Sequence, residues 1–128
     1  MTLVLAAAAV VLAACGGASK PEDPTVAANQ ACTPAGTNLA ISADNIAFDK
    51  SCLAAPAGQD LTITFENKEA IPHDVVILKA GSSSPLFSGD IVTGPRTVTY
   101  RVTALGAGTY RFQCSVHPTQ MKGTFVVR

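Results

Sequence analysis

The residue types best suited to binding a soft metal ion are scarce in this chain. It contains two histidines, His73 and His117, and two methionines, of which one is the first residue and the other is Met121. Cys114, His117 and Met121 lie within one short stretch, and His73 lies far upstream. Thiolate and imidazole groups bind copper in both oxidation states, and a weak axial thioether favours the reduced ion. The pattern therefore predicts a copper site formed by these four residues.

Each of these residues also has a simpler explanation when it is taken alone. A buried histidine is often a structural hydrogen-bonding residue, a lone cysteine is often a small buried hydrophobe, and a methionine often fills a core. A Cys114–His117 nucleophile and base is disfavoured, because no third orienting residue is evident. A structural zinc site is conceivable, but the single thiolate and the thioether argue against it. Gln120 is an alternative axial ligand to Met121.

The elements that position these side chains are predicted to be strands. Apolar residues alternate with polar ones in four segments, which is typical of half-buried strands. By this alternation Cys114 shares an inward face with Phe112, and His73 shares one with Val75 and Ile77. The thiolate and one imidazole should therefore face the same interior from two strands. The alternating positions are Leu39 and Ile41; Leu61, Ile63 and Phe65; Val98, Tyr100 and Val102; and Tyr110, Phe112 and Cys114.

The spacing of these segments predicts the fold class. Glycine- and proline-containing turns separate them, no amphipathic helical pattern of useful length is present, and residues 75–78 are continuously apolar. Seven or eight short strands at this spacing indicate an all-β, antiparallel Greek-key β-sandwich.

Two segments resemble the ligand loops of cupredoxins, the plastocyanin- and azurin-like blue copper proteins. Residues 108–124 (GTYRFQCSVHPTQMKGT) are similar to the C-terminal copper loop of that family, and residues 65–75 (FENKEAIPHDV) to the loop that places the other histidine after a proline. The resemblance extends over about residues 37–128. It implies one copper ion cycling between Cu(I) and Cu(II) and electron transfer between redox protein partners. A copper enzyme is disfavoured, because further histidine-rich sites or a second cysteine in the Cys114 loop would be needed and both histidines are already assigned. One departure is Asp74, where the family often has Asn.

The start of the chain resembles an export signal. Residues 1–14 are almost wholly apolar, but a helix of that length is only ~21 Å long and cannot cross a hydrocarbon core of roughly 30 Å. They fit a signal peptide, and the LAACG string at residues 12–16 resembles a bacterial lipobox, with the signal ending before Cys15. No Lys or Arg precedes the apolar run, which departs from the pattern. The alternative is an ordinary signal in which Cys15 is incidental.

This interpretation divides the chain into a signal peptide (1–14), a flexible tether (15–36) and a cupredoxin domain (37–128). The protein would be exported and anchored by lipid on Cys15 to the outer face of the cytoplasmic membrane or in the periplasm. If Cys15 carries lipid and Cys114 binds metal, only Cys32 and Cys52 remain for a disulfide, which would add about 3 kcal/mol of stability. The alternative is two free thiols.

Charge and composition restrict the partners. Nine basic and nine acidic residues give a formal net charge of zero, and no basic run is present, so nucleic acid is not expected. A monomeric one-electron carrier docking through the edge of His117, ringed by Val116 and Pro118, is the first hypothesis. A protein that stores or delivers copper outside the cytoplasm is the second.

Overall fold

The computed structural model describes Cys32 and residues 36–128. The predicted signal peptide, Cys15 and most of the predicted tether lie outside the described residues. Within the described part, all regular secondary structure is strand. No helix there is long and apolar enough to cross a membrane.

Eleven strands are formed, and eight of them contain four or more residues. They are β1 (Asn38–Asp44), β2 (Ala47–Phe48), β3 (Cys52–Ala55), β4 (Leu61–Asn67), β5 (Pro72–His73), β6 (Val76–Lys79), β7 (Pro85–Ser88), β8 (Val92–Thr93), β9 (Arg96–Val102), β10 (Gly108–Gln113) and β11 (Lys122–Val127).

The strands form two main sheets, in the orders β2-β1-β4-β9 and β3-β11-β10-β6-β7, and a small ribbon of β5 and β8. The predicted all-β sandwich is confirmed. Most pairings are antiparallel, but β1 pairs with β4 and β3 pairs with β11 in parallel. Side-chain alternation is the same in both kinds of pairing, so the sequence pattern carries no signal for strand direction.

The core lies between the two main sheets and is built from the alternating positions. Ile63 and Phe65 of β4 and Phe112 of β10 have no exposed surface, and Phe125 of β11 joins them. Burying a side chain of this size contributes roughly 1.5–3 kcal/mol. The continuous apolar run at 75–78 is buried at every position, as expected for a strand that is covered on both faces.

A disulfide joins Cys32 to Cys52, the first residue of β3, with their Cα atoms 5.4 Å apart. The Arg128 guanidinium donates a hydrogen bond of 3.0 Å to the Cys32 carbonyl. These two contacts hold Cys32 against the five-stranded sheet. Among the described residues, Cys114 is the only free cysteine.

Candidate metal centre

Three of the predicted ligands converge on one point at the end of the sandwich. The Cys114 sulfur lies 3.7 Å from Nδ1 of His73 and 3.9 Å from Nδ1 of His117. The donor atoms of all three residues lie within 4.8 Å of one another. A metal ion bonded to nitrogen at about 2.0 Å and to sulfur at about 2.3 Å, with a trigonal angle between the bonds, would hold the two donor atoms about 3.7 Å apart. The spacing therefore fits three donors around a single ion.

Cys114 directly follows β10, and a short hydrogen-bonded loop carries it together with His117 and Met121. The Cys114 N–H donates to the Met121 carbonyl at 2.9 Å, and the Met121 N–H donates to the His117 carbonyl at 2.9 Å. These two bonds close the loop on itself, so one rigid turn presents a thiol, an imidazole and a thioether. Cys114 is fully buried, whereas His117 is partly exposed.

The two candidates for the axial position lie in different environments. The Met121 side chain is fully buried in the core cluster that also contains Cys114. Gln120 is exposed, and its side-chain oxygen accepts a hydrogen bond of 2.8 Å from the Thr119 hydroxyl. The surroundings of these side chains therefore favour the thioether of Met121 over the amide oxygen of Gln120.

His73 lies on β5 and is fully buried. Its Nδ1 faces the Cys114 sulfur, and its Nε2 lies 2.8 Å from a carboxylate oxygen of Glu69. The His73 and His117 rings are 4.9 Å apart between centroids and inclined at 54°. A carboxylate at Nε2 favours the tautomer that carries its proton there, which leaves Nδ1 free to bind a metal ion.

Asn67 fixes the loop that leads into His73. Its fully buried side chain donates hydrogen bonds of 2.7 Å to the carbonyls of Ile71 and Val92, and accepts one of 3.0 Å from the Glu69 N–H. Gly94 packs so closely on this loop that an added Cβ would meet the carbonyl oxygens of Asn67 and Glu69. The loop conformation is therefore determined by buried contacts on both sides.

Asp74 connects the two ligand-bearing segments. Its buried carboxylate accepts a hydrogen bond of 2.6 Å from the Ser115 N–H and one of 2.5 Å from the Ser115 hydroxyl. Asp74, which stands where the family often has Asn, therefore links the residue after His73 to Ser115, the residue after Cys114.

Burial raises the pKa of the Cys114 thiol above its ordinary value. The backbone N–H groups of Asp74, His117 and Val116 act in the opposite direction by stabilising the thiolate. Cys114 would hold a metal ion as the thiolate, with the ion in place of the thiol proton. The resulting anion would find amide donors already directed toward it.

Sequence reasoning missed three residues that organise this centre: Asn67, Glu69 and Ser115. The position of Glu69 four residues before His73 was a weak available signal. Asn67 and Ser115 act through loop geometry that side-chain alternation does not reveal.

Comparison with known proteins identifies the class to which this fold and this arrangement of donor atoms belong. A family model described as "Cupredoxin-like domain" matches residues 3–127. The chain belongs to this family, which confirms the resemblance seen in the two ligand loops.

The chain is also similar to individual members. It is 30% identical to auracyanin-A of Chloroflexus aurantiacus over 97% of this chain and 93% of that protein. It is 36% identical to plastocyanin of Sambucus nigra over 57% of this chain and 78% of that protein. The crystal structure of dithionite-reduced auracyanin from Roseiflexus castenholzii superimposes with a TM-score of 0.65 at 27% identity, covering 72% of this chain and 97% of that one.

Proposed function

We propose that this protein carries single electrons by means of a copper ion held by His73, Cys114, His117 and Met121. The cofactor is one copper ion. The observation that carries the proposal is the convergence of the three nitrogen and sulfur donor atoms within 4.8 Å at the end of a rigid sandwich. A His–Cys–His set with a weak axial thioether is the ligand pattern of blue-copper electron-transfer sites.

The protein's part in this chemistry is to hold the donors still and to exclude water. Copper in such a site accepts and releases one electron without making or breaking a covalent bond in a substrate. The closed loop from Cys114 to Met121 and the buried hydrogen bonds around His73 limit movement of the donors between the two oxidation states. Comparison also supports this function, since the auracyanin A of Chloroflexus aurantiacus is described as a "blue" copper protein.

Electrons would enter and leave through the exposed edge of His117. Its neighbour Val116 is 39% exposed, which makes the surface beside the imidazole apolar. With a net charge of zero, docking would depend on this apolar contact more than on charge steering. Redox encounters of this kind bury small areas and bind weakly, which suits a monomeric carrier.

Export and lipid anchoring complete the proposal. The Cys32–Cys52 disulfide supports a location outside the cytoplasm, since disulfides persist in oxidising compartments. Residues 1–14 would be removed as a signal, Cys15 would carry lipid, and residues 15–36 would tether the copper domain of 37–128. Detergent phase partitioning tests the anchor. The native chain should enter the detergent phase, and a Cys15→Ala variant should remain in the aqueous phase. An equal distribution of both would contradict lipidation at Cys15.

Electron transfer and copper delivery are distinguished by what leaves the protein. The copper-loaded protein is cycled between ascorbate and ferricyanide in the presence of a Cu(I) chelator and, separately, an apo-acceptor protein. A carrier should complete repeated cycles with one copper retained per chain. Transfer of the copper to the chelator or the acceptor within the first reduction would instead support storage or delivery.

A further inference from the structure

Glu69 is the one carboxylate hydrogen-bonded to a predicted ligand within the described residues. Its Oε1 lies 2.8 Å from His73 Nε2 and also accepts a hydrogen bond of 2.8 Å from the Ile46 N–H. The Glu69 side chain is 18% exposed, and the His73 side chain has no exposed surface. Within the described part of the chain, the carboxylate is therefore the only polar side-chain partner of the outer nitrogen of this buried imidazole.

The Glu69 backbone is fixed at both of its hydrogen-bonding groups. Its N–H donates to the Asn67 side chain at 3.0 Å, and its carbonyl accepts from the Gly94 N–H at 3.1 Å. Because the backbone is held in this way, the carboxylate reaches His73 from a defined position. Ordering of the Glu69 backbone is therefore not an additional entropic cost of the bond to His73.

The second partner of Glu69 lies in an unusual turn. Asn45 and Ile46 connect β1 to β2 with φ values of 53° and 54°. This left-handed conformation is uncommon for a β-branched residue. Ile46 also packs against the core, and its N–H points at Glu69. The carboxylate thus links the turn at the end of β1 to the histidine on β5.

The hydrogen bond from Ile46 lowers the pKa of Glu69, burial opposes this, and the bond to His73 lowers the pKa further. Oε1 accepts from two donors at once, which is the hydrogen-bonding arrangement of an ionised carboxylate. Its negative charge lies on the far side of the imidazole from the Cys114 sulfur.

We propose that Glu69 is a positioning residue that selects the Nε2–H tautomer of His73 and lowers the reduction potential of the copper site. This inference rests on the proposed function. A carboxylate that accepts the outer N–H of a ligating histidine orients the ring and increases its basicity. A more basic imidazole stabilises Cu(II) more than Cu(I), so the anion favours the oxidised protein.

The test compares Glu69→Gln with Glu66→Gln. Glutamine at 69 retains an oxygen that can accept from His73 and Ile46 but removes the charge. Glu66 is a matched control, because it is exposed, three residues away and paired with Lys68 at 3.8 Å rather than with a predicted ligand. The Glu69→Gln protein should keep its visible copper band and favour Cu(I) by about tenfold more than wild type, which is about 59 mV for one electron. Glu66→Gln should leave the potential at the wild-type value.

A second measurement does not require copper. Ring ¹⁵N NMR of the copper-free wild-type protein should show His73 protonated at Nε2 alone, and Glu69→Ala should give a mixture of tautomers. An Nδ1–H tautomer in the wild type, or equal potentials for Glu69→Gln and Glu66→Gln, would overturn the proposal. These results are distinguishable from failure of the copper function itself, in which wild type would form no blue complex at all.

Discussion

Ser115 and Asp74 join the two ligand-bearing segments, because the backbone N–H and the hydroxyl of Ser115 both donate to the Asp74 carboxylate. Asp74 follows His73 and Ser115 follows Cys114, so this pair sets the distance between the imidazole and the sulfur. Residues 41 positions apart in the chain are thereby held in register. The link is made by two residues that are not predicted copper ligands, so it constrains both segments independently of the metal-binding groups.

Ser115→Ala should weaken this link without breaking it. The variant loses the hydroxyl bond but keeps the backbone one, so the free energy of unfolding of the copper-free protein should fall by ~1.5 kcal/mol. Chemical denaturation measures the change. Ser83→Ala, at an exposed position, is the control. Equal stability of the two variants would show that the hydroxyl bond contributes nothing.

Asn67→Ala should be the more damaging change. It leaves the Ile71 and Val92 carbonyls and the Glu69 N–H without their buried partner. We expect a loss of ~3 kcal/mol in the free energy of unfolding, since each unsatisfied buried group costs roughly 1–3 kcal/mol. Exposed Asn38→Ala serves as the control and should lose little. If Asn67→Ala lowered the free energy of unfolding no more than Asn38→Ala, the Asn67 side chain would not be what stabilises the loop.

The sequence predicts which residues of each strand face inward, but it does not predict the direction in which neighbouring strands pair. The inward positions of β4, β9 and β10 follow from alternation, because each places large apolar residues at every second site. The parallel pairing of β1 with β4 was not predictable, since alternation is independent of strand direction. A prediction of antiparallel sheets throughout is therefore incomplete.

Some residues of the metal centre could likewise be predicted from the sequence, and others could not. Cys114, His117 and Met121 share one loop, so their proximity follows from short sequence separation. The approach of His73 depends on long-range pairing: alternation indicated only that it faces the interior, and the resemblance to a known loop indicated that it meets Cys114. Glu69 and Asn67 escaped notice because their hydrogen bonds to His73 and to backbone groups require a particular loop conformation. Sequence periodicity does not specify that conformation.

The axial position provides a third prediction. Met121→Gln replaces a soft thioether by a harder oxygen donor, which favours Cu(II), so the reduction potential should fall by at least about 59 mV, a tenfold change in preference. Gln120→Ala should leave the potential unchanged, because Gln120 is exposed and bonded to Thr119. Voltammetry of the two variants measures the shift. The reverse pattern would identify Gln120 as the axial ligand.

Copper uptake should depend on pH in a defined direction. Burial raises the pKa of Cys114, so the copper-free protein holds a neutral thiol that must lose its proton when metal binds. Because one thiol proton leaves for each ion bound, the affinity for Cu(II) should rise about tenfold per pH unit between about pH 7 and pH 9. Competition with a chelator of known pH dependence measures this slope. A flat profile over the interval would mean that the thiolate is already formed.

The disulfide gives a prediction about stability alone. Replacing both Cys32 and Cys52 by serine opens a loop of 20 residues and should lower the free energy of unfolding by ~3 kcal/mol. The copper spectrum should remain, because neither residue belongs to the site. Reductant should destabilise the wild type by a similar amount and leave the double variant unchanged. Equal sensitivity of both proteins to reductant would contradict a structural disulfide.

One Cu(II) ion is expected to bind at the Cys114 sulfur together with the imidazoles of His73 and His117. The most direct measurement is a titration of the copper-free protein with Cu(II), followed by visible absorption. We predict an intense thiolate-to-copper charge-transfer band that saturates at one equivalent, persists in the Cys32→Ser/Cys52→Ser protein and is absent from Cys114→Ser. A colourless wild-type complex, or an equally intense band in Cys114→Ser, would contradict copper binding at the Cys114 thiolate.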